Sequence, residues 1–251
     1  MRASRRNVRV YWLGRRRYEP THELQKALAE ARLNDGLGDV VLLVEHDPVI
    51  TLGRGAKAEH VLLDVATRHE HNVDIVTTGR GGDVTYHGPG QLVGYPILQL
   101  KPERCDVRRY VRSLAEIMIL IARERYVEAG IIDDKIGVWA DTARPAEWGG
   151  EPWATQPAKL GAIGVRISRW VTMHGFALNV TVDLGAFGWI VPCGIRSHGV
   201  TSIQHLTGHA VSLRDLALSC ARPISQALDV DVVGEIRDVS KASELDVSTF
   251  R

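Results

Sequence analysis

The sequence predicts an α+β fold with a largely antiparallel or mixed sheet, and three observations carry that expectation. The chain has 251 residues, 45% hydrophobic and 24% charged, the balance of a folded chain with a sizeable core. Apolar runs of strand length recur along it, several joined by short turns. Helical segments fall among these runs without the strict alternation of strand and helix that an all-parallel sheet requires.

Residues 7–13 alternate well enough for a first strand. Pro20 then opens a helical stretch in which Leu24, Leu28 and Ala31 share a face, and Gly36 stands where a C-terminal glycine cap belongs. Residues 40–44 are a continuous apolar run of strand length, and residues 73–78 are read as another strand. The glycine-dense residues 79–90 predict an irregular loop. Residues 92–100 read as a strand, which Pro96, having no N–H, assigns to a sheet edge or a bulge. The clearest helix covers about residues 106–128, where Val107, Tyr110, Val111, Leu114, Ile117, Met118 and Ile121 recur at helical spacing. Strand-like segments follow at 135–140, 159–167 and 172–182. Between the first two, residues 141–157 are rich in Pro, Gly and Trp and predict a mobile loop. Ser212 with Asp215 has the form of a capping box before a last helix that runs to about Leu228. The Asp- and Ser-rich end reads as a loosely held tail. No internal repeat or linker divides the chain, so one domain is expected over 1–251, with its core over about 7–230.

A formal net charge of +1 excludes a general polyanion binder, and no nucleic-acid partner is expected. Arg2, Arg5, Arg6, Arg9 and Arg15 to Arg17 make the start basic, which a solvated face explains better than a docking patch. Cys105, Cys193 and Cys220 are odd in number and widely spaced, so they form no disulfide framework and fit a reducing compartment. Arg9 interrupts the apolar start, which argues against a signal peptide. The longest apolar run, Ile117 to Ala122, is too short to span a bilayer. A cytoplasmic protein without a membrane partner is expected.

Three segments could carry chemistry. Arg80-Gly81-Gly82-Asp83-Val84-Thr85-Tyr86-His87-Gly88-Pro89-Gly90-Gln91 holds four glycines in twelve residues, which lets a substrate approach backbone N–H groups. It matches neither phosphate-loop pattern, and a pair of tight turns explains it nearly as well. In Pro192-Cys193-Gly194 the cysteine sits in a turn, and the residues leave a buried apolar filler and a reactive thiol both open. Cys105 and Cys220 lie beside helical segments and fit buried or inert thiols. Lys159-Leu160-Gly161-Ala162-Ile163-Gly164-Val165 starts a strand with a lysine, ordinarily a solvated strand end. His69 with His71 and His205 with His209 are the close histidine pairs, and neither is completed by a carboxylate or cysteine. No metal site is expected.

Taken together, these blocks, with Glu45-His46-Asp47-Pro48-Val49, Thr51 and Gly53 upstream and His174-Gly175-Phe176-Ala177-Leu178-Asn179-Val180 downstream, strongly resemble the octanoyl (lipoyl) transferase family. They stand in family order and cover about residues 40–205. The resemblance implies the fold of biotin and lipoate protein ligase catalytic domains: a mixed sheet, a smaller second sheet and helices outside. It implies transfer of an octanoyl or lipoyl group from acyl carrier protein to a lysine of lipoyl domains, the first step of protein lipoylation. The acceptors would be the 2-oxoacid dehydrogenase complexes and the glycine cleavage H protein. The enzyme would be a monomer without a cofactor. By the same resemblance Cys193 forms the acyl thioester and Lys159 activates it. Arg80 to His87, Ala162 to Gly164 and Gly175 to Ala177 line the acyl site, where His174 also helps. Compared with the family, residues 141–157 look expanded. Two rivals are an ATP-dependent lipoate or biotin protein ligase, which needs no reactive cysteine, and a non-catalytic acyl-binding adaptor.

Overall fold

The computed structural model describes residues 5–34, 36–150, 153–191 and 198–250. Its first unit is a strand–helix–strand crossover. Strand β1 (Arg6–Arg16) leads into helix α1 (Tyr18–Leu33) and returns as β2 (Asp39–His46), parallel to β1. Pro20 is tolerated in the first turn of α1 because backbone N–H groups there have no partner inside the helix.

Strand β2 explains its own composition. Val41 and Leu43 face one core, and Val40, Leu42 and Val44 face the other, so the strand is apolar on both faces. On its far side lies β6 (Gln91–Ile97), antiparallel to it, followed by β10 (Val171–Asn179), β9 (Pro157–Ser168), β8 (Lys135–Asp141) and β7 (Ala129–Ile132). At the opposite edge β11 (Val230–Val232) and β12 (Arg237–Asp238) both pair with β1. A second sheet is built of β3 (Val49–Leu52) between β4 (Asp74–Thr77) and β5 (Val84–His87), with the short helix α2 (Val65–Glu70) leading into β4. The large mixed sheet, the smaller sheet and the flanking helices are the architecture expected from the sequence.

Helix α1 covers one face of the large sheet through Leu24, Leu28 and Ala29. The other face carries α3 (Val107–Arg123), α5 (Leu213–Leu218) and α6 (Ala221–Leu228), reached through the one-turn helix α4 (Ile203–Thr207). Asp106 caps α3 by accepting the Arg109 N–H. The helix stops at Arg123, short of the expected end near residue 128, and Tyr126 beyond it takes a left-handed φ of 61°.

Five other expectations need correction. Pro96 lies in β6, inside the sheet and not at its edge. The ladder to β10 ends at the pair Phe176–Gly94, and the Pro96 carbonyl instead accepts the Thr172 hydroxyl, so the missing N–H is not called upon there. The glycine-dense stretch is not all loop, because Val84–His87 form β5. The last helix is two helices. Ser212 caps α5 at the Asp215 N–H, but Pro223 cannot donate in a helix interior, and the chain restarts so that proline falls in the first turn of α6.

The end of the chain is held rather than loose. Phe250 is fully buried against Tyr11 with ring centroids 4.7 Å apart, and Arg16 donates to the carbonyls of Val239, Ser240 and Ala242. The loop after β8 is likewise anchored where it is described. The buried Asp141 carboxylate accepts backbone N–H bonds from Ala143, Thr155 and Gln156, and Trp148 lies against Gly130 of β7. The basic N-terminal residues are largely paired, Arg5 with Asp229, Arg6 with Glu103, Arg15 with Asp47 and Arg17 with Asp74, as befits a solvated face. Among the described residues no helix is long and apolar enough to cross a membrane.

Candidate active site

Strands β9 and β10 pair antiparallel with Ala162 opposite Ala177, Ile163 opposite Phe176 and Gly164 opposite Gly175. Two segments singled out separately in the sequence are thus register partners in one ladder. The small residues have a steric reason. A Cβ on Gly175 would lie 2.2 Å from the Gly94 carbonyl oxygen, and one on Gly164 would crowd Arg80 and the Gly81 carbonyl.

The loop from Arg80 to Asp83 docks on this ladder through the Gly81 N–H, which donates to the Val165 carbonyl. A second glycine turn holds it from behind: Gly53, Arg54 and Gly55 donate to the carbonyls of Asp83, Arg80 and Gly82. No side chain fits at Gly53, where a Cβ would stand 2.3 Å from the Gly82 oxygen, and Gly82 itself has φ +87°. The buried Arg80 guanidinium donates to the Thr51 carbonyl at 2.7 Å and to its hydroxyl at 3.0 and 3.1 Å. Asp83 receives His60 at 2.5 Å and the Val84 N–H at 2.8 Å.

These parts enclose a cavity of ≈ 480 Å³. Arg80, Gly81, Gly82, Asp83, Val84, Thr85, His87, Lys159, Ala162, Ile163, Gly164, Gly175, Phe176, Ala177 and His174 all line it. Tyr86 does not. Its ring packs edge-on to Phe187 and Trp189 in the core of the small sheet, as alternation along β5 demands of a residue between Thr85 and His87. Cys193 lies outside the described residues. Of the other cysteines Cys220 is buried, its thiol pushed up to about 12 by that burial, whereas Cys105 is exposed.

Lys159 is half-buried, its ammonium 5.5 Å from the centre of the Trp139 ring, a cation–π distance. Its backbone is also engaged: the Lys159 N–H donates to Gly199, and the Thr201 N–H donates to Lys159. From Thr201 a hydrogen-bond chain runs back into the cavity wall. Asn179 donates to the Thr201 carbonyl, Gln91 donates to the Asn179 oxygen, and the Gln91 oxygen faces His87 Nδ1 at 2.6 Å. With the Gln91 nitrogen committed to Asn179, its oxygen must accept, so His87 carries its proton on Nδ1.

The cavity's inner side is rich in imidazole and phenol. His46 donates from Nδ1 to the Arg16 carbonyl and accepts Tyr95 at Nε2, 2.8 Å away. Tyr18 stacks on His87 at 6.2 Å. Burial pushes His46 down to about 4, and His87 and His174 down to about 3, while it raises Tyr18 to about 12. Every one of these groups is neutral at pH 7, and the buried Arg80 cation adds to the lowering at His87 and His174. The imidazoles and phenols of the inner wall are therefore uncharged, while Arg80, Asp83, Asp134, Lys135 and Lys159 bring charged groups to the lining. Among the described residues no group of three or more His, Cys, Asp or Glu is placed to hold a metal ion.

A family model, the lipoyl protein ligase A/B catalytic domain, matches residues 17–224. Curated octanoyltransferases are similar over most of the chain. That of Mycolicibacterium gilvum is 42% identical over 91% of this chain and 89% of its own length. That of Caldicellulosiruptor saccharolyticus is 40% identical over 86% of each. The chain belongs to the octanoyltransferase family. Octanoyltransferases are acyltransferases, and this chain is an enzyme of that class. The Myxococcus xanthus octanoyltransferase is 43% identical, and this chain spans 64% of its length. Among solved structures, a lipoate-protein ligase A bound with ATP superposes with a TM-score of 0.66 at 15% identity, covering 92% of this chain and 89% of that one. A bipartite lipoate protein ligase from Thermoplasma acidophilum gives 0.67 at 16%, covering 93% and 87%. At such identities the likeness is one of fold.

Several residues of this octanoyltransferase-family site escape sequence reasoning: Tyr18, Tyr95, Val111, Lys135 and Ile136 in the lining and His60 behind it, while Thr51, Gln91 and Asn179 stand in the quoted blocks without an assigned role. Gln91 and Asn179 did leave a signal. Each is a polar residue at the end of an apolar strand, where burial demands a partner.

Proposed function

We propose that the chain, working as one domain and a monomer, transfers octanoyl or lipoyl groups from acyl carrier protein to lipoyl domains. The acceptor is the lysine of lipoyl domains in 2-oxoacid dehydrogenase complexes and in the glycine cleavage H protein, and the group passes through a thioester on Cys193. One observation carries the reading: one cavity is lined by the glycine loop, by the paired β9 and β10 segments and by Lys159.

The described flanks of Cys193 support it. Val191 donates to the His60 carbonyl, and His60 in turn holds Asp83 of the cavity lining. Gly199, on the other flank, bonds the Lys159 backbone. Cys193 is two residues from Val191, a reach of about 7 Å.

A free thiol near pKa 8.5 is mostly protonated at pH 7, and a neighbouring cation lowers it into the range of about 3.5–7.5. Lys159 supplies that cation. The Cys193 thiolate attacks the carrier thioester, the C–S bond to the carrier breaks, and the carrier thiolate leaves and takes up a proton. Backbone N–H groups of the glycine loop stabilise the oxyanion. Acylation removes the negative charge beside Lys159, which then yields its proton more readily. The neutral lysine accepts the proton of the incoming amine as the amide forms and Cys193 leaves. Thioester to thioester is nearly balanced and thioester to amide runs downhill, so no ATP is consumed.

Intact-protein mass spectrometry after incubation with octanoyl-carrier protein tests the proposal. An adduct of one octanoyl group that disappears in Cys193→Ser is expected. Lipoate attachment that needs ATP and survives Cys193→Ser would establish a ligase instead, and carrier binding without modification would establish an adaptor.

A further inference from the structure

Strand β8 builds a seat for the Lys159 side chain. The β8–β9 ladder sets Trp139 opposite Lys159 and Val138 opposite Gly161, so the register slips between the two pairs. A slip of this kind re-aims the side chains beside it. The lysine stem lies across Gly137, two residues from Trp139 and on the same face of β8. A Cβ on Gly137 would stand 2.6 Å from Lys159 Cε and 3.3 Å from Nζ. Only glycine leaves the stem that room, and a φ of +135° suits no other residue.

The Trp139 ring completes the seat. It is fully buried, its Nε1 donates to the Lys135 carbonyl at 3.2 Å, and the His198 ring packs edge-on to it at 5.5 Å. These contacts fix the plane of the indole, and Lys159 Nζ stands 5.5 Å from its centre. An indole face attracts an ammonium through its ring quadrupole and gives a neutral amine no such attraction. The other charged groups of the described lining are Arg80, Asp83, Asp134 and Lys135. Asp83 already receives His60 and the Val84 N–H, and Lys135 faces His198 Nε2 at 3.5 Å.

We infer that Trp139 is a positioning residue for Lys159, its indole face holding the ammonium in the cavity lining and favouring it over the neutral amine. The inference rests on the acyl-transfer reading, and there the ring acts on both half-reactions. It preserves the cation that a Cys193 thiolate needs, so loading persists to higher pH. It also retains the proton that the acyl-enzyme must release, so transfer to the amine begins at higher pH. Without the indole face both limits move to lower pH, by about 0.4–1.5 for a cation–π contact of ordinary strength.

The test follows the two half-reactions of the full chain separately, across neutral and alkaline pH, for wild type, Trp139→Phe and Trp139→Leu. Loading is read by mass spectrometry with octanoyl-carrier protein, and transfer from the isolated acyl-enzyme to a lipoyl domain. In Trp139→Leu the alkaline limb of loading and the acid limb of transfer should both move down by about 0.4–1.5. Trp139→Phe keeps an aromatic face but not the Nε1 hydrogen bond, and should hold both limbs near wild type. A purely structural role lowers the plateaus and leaves the limbs in place. Limbs that stay put in the leucine variant, or move equally in both variants, overturn the inference. Wild type alone decides if the leucine variant fails to fold. In lysine-labelled protein the Lys159 ε-protons, assigned by their loss in Lys159→Arg, should carry the upfield ring-current shift of a group over an indole face. Unshifted ε-protons overturn the seat, whereas shifted ε-protons in a wild type that transfers no acyl group overturn the acyl-transfer reading instead.

Discussion

Acid should destabilise this fold well before its carboxylates titrate. His46, His87 and His174 are buried and held at about 4, 3 and 3, against an ordinary value of 6.5. Their folded values lie below their unfolded ones, so the stability they contribute is present above the unfolded value and is lost as pH falls towards the folded values. Between pH 7 and 5.5 each imidazole of the unfolded chain takes up most of a proton while its folded counterpart takes up almost none. That difference is worth roughly 1.2 kcal/mol per residue, about 4 kcal/mol for the three. His22 is lowered by burial too and pulls the same way. Urea unfolding followed by circular dichroism at the two pH values measures it. With a slope of about 2–3 kcal/mol/M, the midpoint should fall by more than 1 M at pH 5.5. His46→Gln should remove about a third of that pH dependence, whatever it does to stability at pH 7. A midpoint that does not move between pH 7 and 5.5 would refute the reasoning, because it would mean the imidazoles are charged or solvated in the folded state.

Lys159→Arg keeps the cation but cannot release a proton. Acyl loading should persist in mass spectrometry while transfer to the acceptor amine slows about 10²–10⁴-fold, and transfer at the wild-type rate would dismiss the general-base role. Gly53→Ala places a Cβ 2.3 Å from the Gly82 carbonyl, so the glycine loop must shift; a loss of about 1–3 kcal/mol in stability and a raised KM are expected in denaturation and steady-state assays. Phe250→Ala empties a fully buried site against Tyr11 and should cost about 3–5 kcal/mol in urea unfolding, where a freely hanging tail would cost nothing.

Elements whose own residues decide their state were legible. The apolar run of β2, the amphipathic face of α3 and the caps at Asp106 and Ser212 each carry a local signature. What the sequence hid depends on partners remote in the chain. Strand β5 sits among glycines and is a strand because β3 pairs with it. Pro96 looked like an edge residue because the Thr172 hydroxyl, which bonds its carbonyl, is supplied from 76 positions away. The tail is ordered by Arg16 and Tyr11, more than 200 positions earlier, and nothing in its Asp- and Ser-rich composition points to them.

The site divides in the same way, and the division is physical. Gly53 and Gly175 admit no side chain, Gly164 is crowded and Gly82 has a positive φ, and glycines stand out in a sequence, so the shape of the cavity was legible. Its electrostatics were not, since they arise from burying His46, His87, His174, Tyr18 and Tyr95 together around Arg80. An acyl chain is accommodated best where no charge needs hydration, and a thiolate-forming lysine acts best at the edge of such a region rather than within it. Holding three imidazoles neutral creates that region, and the same desolvation obliges the fold to weaken as soon as free histidine begins to protonate. The acid lability and the proposed acyl trough are therefore two consequences of one arrangement: a change that charges or hydrates the imidazoles should abolish the first and spoil the second together.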